Sequence, residues 1–191
     1  MEIRAAVLDD ISEITAIYNS IVLSSTAVYN DTPATIEQRV AWWRARVDQG
    51  FPVLVAVENG VVLGYASFGE FRPWPGYRFT VEGTIHIRED VRGRGVGKGL
   101  LQELLASARA MGKHVMVAGV DAENAASLRF LEAAGFVPAG HLREVGFKFG
   151  RYLDLRFLQY WLTDPPVANP SIPQAKLEVG LTSVVPGEAG P

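Results

Sequence analysis

The chain has 191 residues, is 48% hydrophobic and 20% charged, and carries a formal net charge of −3 at pH 7, which suits one globular domain with a sizeable core. That balance excludes a global basic field for nucleic acid or an anionic membrane, and the absence of cysteine excludes disulfides, thiolate metal sites and a cysteine acyl-enzyme. The acidic N-terminal text MEIRAAVLDD is not that of a signal peptide, and no apolar run approaches the ~18 residues of a membrane span; a soluble, cytoplasmic protein is expected.

Residues Glu2 to Val7 read as a short strand. Asp9 or Asp10 is expected to cap a helix carrying Ile11, Ile14, Ile17, Tyr18 and Ile21 at helical spacing. The polar stretch SSTAVYNDTPAT is a loop. Thr35 and Gln38 then form a capping-box pattern that opens a second helix, closed by Gly50. In FPVLVAVENGVVLGYASFGEF two β-branched runs flank Asn59-Gly60, a strong hairpin signal. A loop with Pro73, Pro75 and Gly76 leads to a strand from about Arg78 to Arg88. After a glycine-rich turn, Val96, Leu100, Leu101, Leu104, Leu105 and Ala108 mark the core face of a helix. HVMVAGV is a buried strand, Asn124 starts another helix that Gly135 closes, and two strands meet at a turn within 146–150. The order β-α-α-β-β-β-α-β-α-β-β predicts an α/β (α+β) fold: a mixed sheet with helices on both faces. The domain is expected to occupy 1–164. Residues 165–191, rich in Pro and Gly without periodicity, read as a tail that is disordered or lies on a neighbour.

The turn Arg92–Lys98, RGRGVGK, carries the most chemistry. Gly93, Gly95 and Gly97 allow positive φ, so successive N–H groups can face one concavity at a helix N-terminus. Arg92, Arg94 and Lys98 add positive charge. Such a cradle suits a pyrophosphate. The text fits neither G-x-G-x-x-G nor G-x-x-x-x-G-K-[ST], but it does fit R-x-x-G-x-G at Arg92, Gly95 and Gly97.

That motif resembles motif A of the GNAT superfamily of acyl-CoA-dependent N-acetyltransferases. The strand before it, the helix after it, the NAAS text at Asn124 and the downstream FLEAAGF extend the likeness. FTVEGTIHI, GKHVMVAGVDAENAAS and VGFKFGRYLDLRFLQ are similar to the phosphinothricin and methionine sulfone/sulfoximine N-acetyltransferase subfamily. The resemblance covers the chain to roughly Asp164 and implies a mostly antiparallel central sheet, acetyl-CoA as cosubstrate, a small amino-acid substrate and a homodimer. It implies cofactor contacts from Ile85, His86 and Ile87, from Gly93, Arg94, Gly95, Val96, Gly97 and Lys98, and from Asn124. It places the substrate against Arg72, Pro73, Trp74, Glu82, Gly83 and Thr84. Gly83 stands where relatives more often carry histidine, which bears on pocket size and substrate choice.

Acetyl transfer needs a neutral amine and hence a proton acceptor. Glu82, in an apolar and β-branched context, is the expected base, directly or through one water; pairing with Arg78 or another cation is the alternative. His86 shares a strand face with Glu82 but reads better as a strand-filling residue. Arg72, and Arg78 less clearly, could hold a carboxylate, phosphinate or sulfone group. Trp74, Trp42 and Trp43 are candidate pocket walls, and Tyr152 and Tyr160 are open candidates for the acid that protonates the thiolate. The lack of cysteine favours direct transfer in a ternary complex. Three other readings stay open: an acyl-CoA-binding protein without catalysis, an acetyltransferase for protein N-termini, lysines or polyamines, and, weakly, a nucleic-acid binder. The three histidines are not at metal-ligand spacing, so no metal is expected.

Overall fold

The structure, a computed structural model, describes residues 1–163; the tail expected at 165–191 lies outside them. The elements follow the expected order: β1 (Glu2–Ala5), α1 (Ile11–Ser24), α2 (Ile36–Asp48), β2 (Val53–Glu58), β3 (Val61–Glu70), β4 (Thr80–Ile87), α3 (Val96–Ala110), β5 (Val115–Asp121), α4 (Ala125–Ala133), β6 (Val137–Lys148) and β7 (Arg151–Trp161). The strands form one sheet in the order β1-β2-β3-β4-β5-β7-β6. Among the described residues only the β4–β5 pair is parallel.

Helices cover both faces. On one, Val96, Leu100, Leu101, Leu104, Leu105 and Ala108 of α3 are all buried, against Leu54, Ala56, Ala66 and Phe68 of the sheet. Burying those six side chains contributes on the order of 10 kcal/mol before entropy is charged. On the other face, Ile11, Ile14, Ile17 and Ile21 of α1 pack on Val53, Val55, Val62 and Tyr65, with Trp42 and Trp43 of α2 alongside. Val62 and Tyr65 are three apart, so strict alternation would separate them. A bulge resolves this: Ala56 pairs with Gly64 and Val57 with Val62, leaving Leu63 as the extra residue. The bulge is what aims Tyr65 at α1 and α2.

The end signals are met unevenly. Thr35 and Gln38 exchange the two capping-box bonds, at 3.2 and 2.9 Å. Asn59 (φ 53°) and Gly60 (φ 79°) form the left-handed pair of a two-residue hairpin. Asp10 stands at the head of α1 but does not cap it. Its carboxylate instead takes the Arg4 guanidinium at 2.6 and 2.8 Å and the Val7 N–H at 2.8 Å, because a bidentate charged donor outcompetes a helix N–H.

The loop between α1 and α2 is fastened to the last hairpin. Lys148, 1% exposed, donates from Nζ to the carbonyls of Ser25 and Val28 at 2.8 Å each. Tyr29 donates its hydroxyl to Asp154 O at 2.9 Å and lies flat on Gly146, where a Cβ would have no room. Lys148→Met leaves two carbonyls without their donor. It is expected to lower the thermal midpoint by roughly 4–8 °C, about 2 kcal/mol at this chain length, in a calorimetric scan.

Candidate active site

β4 and β5 pair only over Thr80–Glu82 and Val115–Val117. Beyond that, β4 stays with β3 as far as Ile87 and β5 with β7 as far as Asp121. The two central strands therefore part after Glu82 and open a wedge in the sheet. Arg88 donates its N–H to Leu63 of β3 at 3.0 Å. Alternation then turns the main chain of Thr84 and His86 to β3, and that of Ile85 and Ile87 to the open wedge.

At the wide end of the wedge stands the glycine turn. Gly93 (φ 80°) and Gly95 (φ 85°) take the left-handed backbone that a side chain would strain. Gly97, which could also have taken that conformation, does not; it lies in the first turn of α3, close to Ile87 and to Phe130 of α4. The first main-chain bond of α3 runs from Gly99 N–H to Gly95 O at 3.1 Å, so the N–H groups of Val96, Gly97 and Lys98 have no helical acceptor. The positive end of the helix dipole adds to their pull on an anion. The side-chain charges contribute less than the text suggests. Arg94 is paired with Glu58 at 2.7 Å, and Arg92 lies 3.9 Å from Glu89. Lys98 is exposed, with no ion pair among the described residues. Asn124 caps α4, its Oδ1 accepting the Ser127 N–H at 3.1 Å.

At the narrow end, Glu82 projects toward α2, half-buried, with its carboxylate against Gly119 of β5. Burial raises its pKa above the ordinary carboxylate value, and the charges of Arg72 and Arg46 only partly oppose this. Pairing with Arg78 does not occur: that guanidinium stacks on Phe79 and donates to Pro75 O at 3.1 Å. Glu82 opens into a cavity of about 290 Å³ under α2, also lined by Tyr18, Arg39, Trp42 and Arg46 from the helices and by Tyr65, Ser67 and Thr84 from the sheet. A hollow of about 490 Å³ between α1 and the Ile87–Arg92 segment has neither Glu82 nor an aromatic wall. Its carboxylates are engaged, Glu13 with the Val62 N–H and Asp90 with Arg88.

The other expected residues are dispersed. Arg72, Pro73 and Trp74 are exposed on the loop at the rim, Arg72 stacked on Phe71 and bonded to its carbonyl at 2.7 Å. Gly83 does line the cavity through its main chain, while its missing side chain would point to the α3 side, where an added Cβ would come within 2.9 Å of the Met116 sulfur. Tyr160 accepts a bond from Arg109 at 2.9 Å on the α3 side, and Tyr152 is exposed on β7, so neither hydroxyl lies at the wedge. Sequence reasoning passed over Tyr18, Arg39, Arg46 and Tyr65. The signal for two of these was present: Arg39, Trp42 and Arg46 are spaced i, i+3, i+7 and share one face of α2.

His86 is buried between Tyr65 (ring centroids 5.2 Å) and Tyr18 (6.5 Å). Burial, with the Arg39 charge nearby, pushes its pKa down to about 4 from 6.5. The folded state thus resists a proton that the unfolded chain accepts. The stability this represents is complete above pH 6.5 and is lost as pH falls from there through about 4. His86→Phe is expected to remove this limb, which amounts to roughly 3 kcal/mol, from the pH dependence of chemical unfolding.

Residues 14–136 match the acetyltransferase (GNAT) family. An L-methionine sulfoximine/L-methionine sulfone acetyltransferase of Salmonella typhimurium is 47% identical over 164 residues, 86% of this chain and 96% of that protein. The crystal structure of an N-acetyltransferase from Staphylococcus aureus Mu50 superposes with a TM-score of 0.84 at 43% identity, covering 85% of this chain and 98% of the other. A GNAT superfamily phosphinothricin acetyltransferase from Sinorhizobium meliloti, in complex with acetyl-CoA, gives a TM-score of 0.83 at 35% identity over 90% of this chain and 94% of its own. A sheet parted beside a half-buried carboxylate, a cradle of free amides and these likenesses agree: the chain belongs to the GNAT family of acetyltransferases.

Proposed function

We propose that the chain moves the acetyl group of acetyl-CoA directly onto the α-amino group of a small amino acid of the methionine sulfone, methionine sulfoximine or phosphinothricin kind. The observation that carries this reading is the parting of β4 from β5 just after Glu82. The opening has the free main-chain edge of Ile85 and Ile87 on one side and the amides of Val96, Gly97 and Lys98 at its end. Those groups suit the amide-bearing arm and the diphosphate of acetyl-CoA. Gly93 and Gly95 shape the turn, and Arg94 and Asn124 border it. His86 contributes by packing the strand from its far side. The relatives' names supply the acceptor class.

In the reaction the substrate ammonium first gives up one proton; the neutral nitrogen then bonds to the acetyl carbon, the carbon–sulfur bond breaks, and nitrogen loses a second proton while the departing sulfur gains one. Glu82 takes the proton from the substrate ammonium, directly or through one water. Its raised pKa brings it nearer to that task. Arg72, with Pro73 and Trp74, closes the rim over the substrate carboxylate, while Gly83 and Thr84 border it from β4.

Glu82→Gln is expected to lower turnover of methionine sulfone ~100-fold or more, with acetyl-CoA affinity by calorimetry unchanged. The rise of wild-type kcat/KM with pH should disappear in the variant. The sign for stability is opposite. A carboxyl whose pKa is raised on folding loses stability as pH rises through that value, so the amide variant should melt slightly higher above it. Undiminished turnover at every pH would remove Glu82 from the reaction.

We infer also that the enzyme is a homodimer joined through β6. This strand closes the sheet as its edge, and Leu142, Val145 and Phe147 on it and Phe149 and Tyr152 beside it are exposed. An edge of this length and character invites a partner. In sedimentation velocity, Phe147→Glu should shift the wild-type dimer toward the 20.8 kDa monomer; a wild type already monomeric at micromolar concentration refutes the assembly.

A further inference from the structure

We propose that Arg39 is the specificity-determining residue for the far end of the substrate, donating hydrogen bonds to the oxygens on its sulfur or phosphorus. This inference rests on the amino-acid reading above and names which atoms of the acceptor α2 recognises.

Arg39 is 8% exposed, a charged side chain in the wall of the 290 Å³ cavity. No carboxylate is paired with it among the described residues. Its guanidinium lies over the rings of Trp42 at 3.8 Å and Tyr18 at 4.5 Å. These faces stabilise the cation while using none of its N–H groups. Its one hydrogen bond among the described residues is a long one, from Nη2 to the Tyr65 hydroxyl at 3.4 Å. Nε is buried without any acceptor. Buried donors of this kind are rare because each forfeits its bond to water. Nη1 also has no partner among the described residues but is not sealed in as Nε is, and Arg39 lines the cavity, so a ligand oxygen can meet that side of the guanidinium.

Position decides which oxygen. Along the β3–β4 ladder, Gly69 faces Glu82, Ser67 faces Thr84 and Tyr65 faces His86. Arg46 lies over the first of these pairs and its charge acts on Glu82. Arg39 lies over the last, against Tyr65. The two ends are four residues apart, about 13 Å along the strand. A zwitterionic head whose nitrogen is at Glu82 and whose carboxylate meets Arg46 or Arg72 thus extends its side chain past Thr84 and Ser67 toward Arg39. An acceptor ending in a sulfone, sulfoximine or phosphinate meets those donors. A plain thioether fills the same space and leaves them unmet, and a site built to hydrogen-bond rejects such an analogue.

The test compares L-methionine sulfone with L-methionine as acceptors, by thiol release from acetyl-CoA, in the wild type, Arg39→Met and Arg39→Lys. Wild type should favour the sulfone by kcat/KM. Arg39→Met should lower the sulfone value ~10- to 100-fold and the methionine value less than about 3-fold. Arg39→Lys retains the charge without Nε and keeps the variant readable if the Met form does not fold; it too should lose most of the preference. A parallel fall for both acceptors, or a preference intact in Arg39→Lys, overturns the assignment while leaving the amino-acid reading standing. A wild type that acetylates neither acceptor removes that reading and this inference with it.

Discussion

A parallel strand pair held by only three residue pairs governs this molecule. Had β4 and β5 stayed in register to their ends, the sheet would be continuous and Glu82 would be one more half-buried strand residue. Their separation does three things at once. It exposes the main-chain edge at Ile85 and Ile87, directs that edge toward the unbonded amides of α3, and leaves Glu82 at the last point where the strands still touch. A main chain without partners inside a protein is costly unless something else bonds to it. The opening is thereby suited to a ligand that is itself rich in amide and phosphate groups.

Helix α2 supplies the opposite wall on a different electrostatic principle. Arg39 and Arg46 are held near the sheet chiefly by aromatic rings and glycine, with no carboxylate bonded to either among the described residues. Desolvation makes both guanidiniums less basic than usual, yet far from losing their charge. Arg46, within reach of the Glu70 and Glu82 charges, and Arg39, set among tyrosines, line one small cavity whose field suits a dipolar guest. On the proposed reading one end would receive an ammonium beside a carboxylate and the other would favour oxygen-rich groups.

The fold was legible where periodicity and end signals are local. The six buried positions of α3, the four isoleucines of α1, the Thr35–Gln38 cap and the Asn59-Gly60 hairpin are all set by residues within one or two turns of each other. Asp10 misled because the better partner, Arg4, arrives from the neighbouring strand. In the site, Glu82 and the glycine turn were readable since one strand and one turn carry them. Arg39 and Tyr65 were not, because their meeting depends on how α2 crosses the sheet and on the extra residue at Leu63. Arg72 and Trp74, named from resemblance and from the chemistry of their side chains, stand exposed at the rim rather than in the cavity wall.

Gly69 carries a consequence for how such a sequence can drift. Its bare Cα is the seat of the Arg46 guanidinium, and any side chain there would occupy the same volume. The guanidinium is the free end of a flexible side chain, so a lineage that gains bulk at the strand keeps its arginine by swinging that end elsewhere. A single change at Gly69 would then displace the cation that flanks Glu82, and descendants of this enzyme would shift in acceptor preference with position 46 untouched.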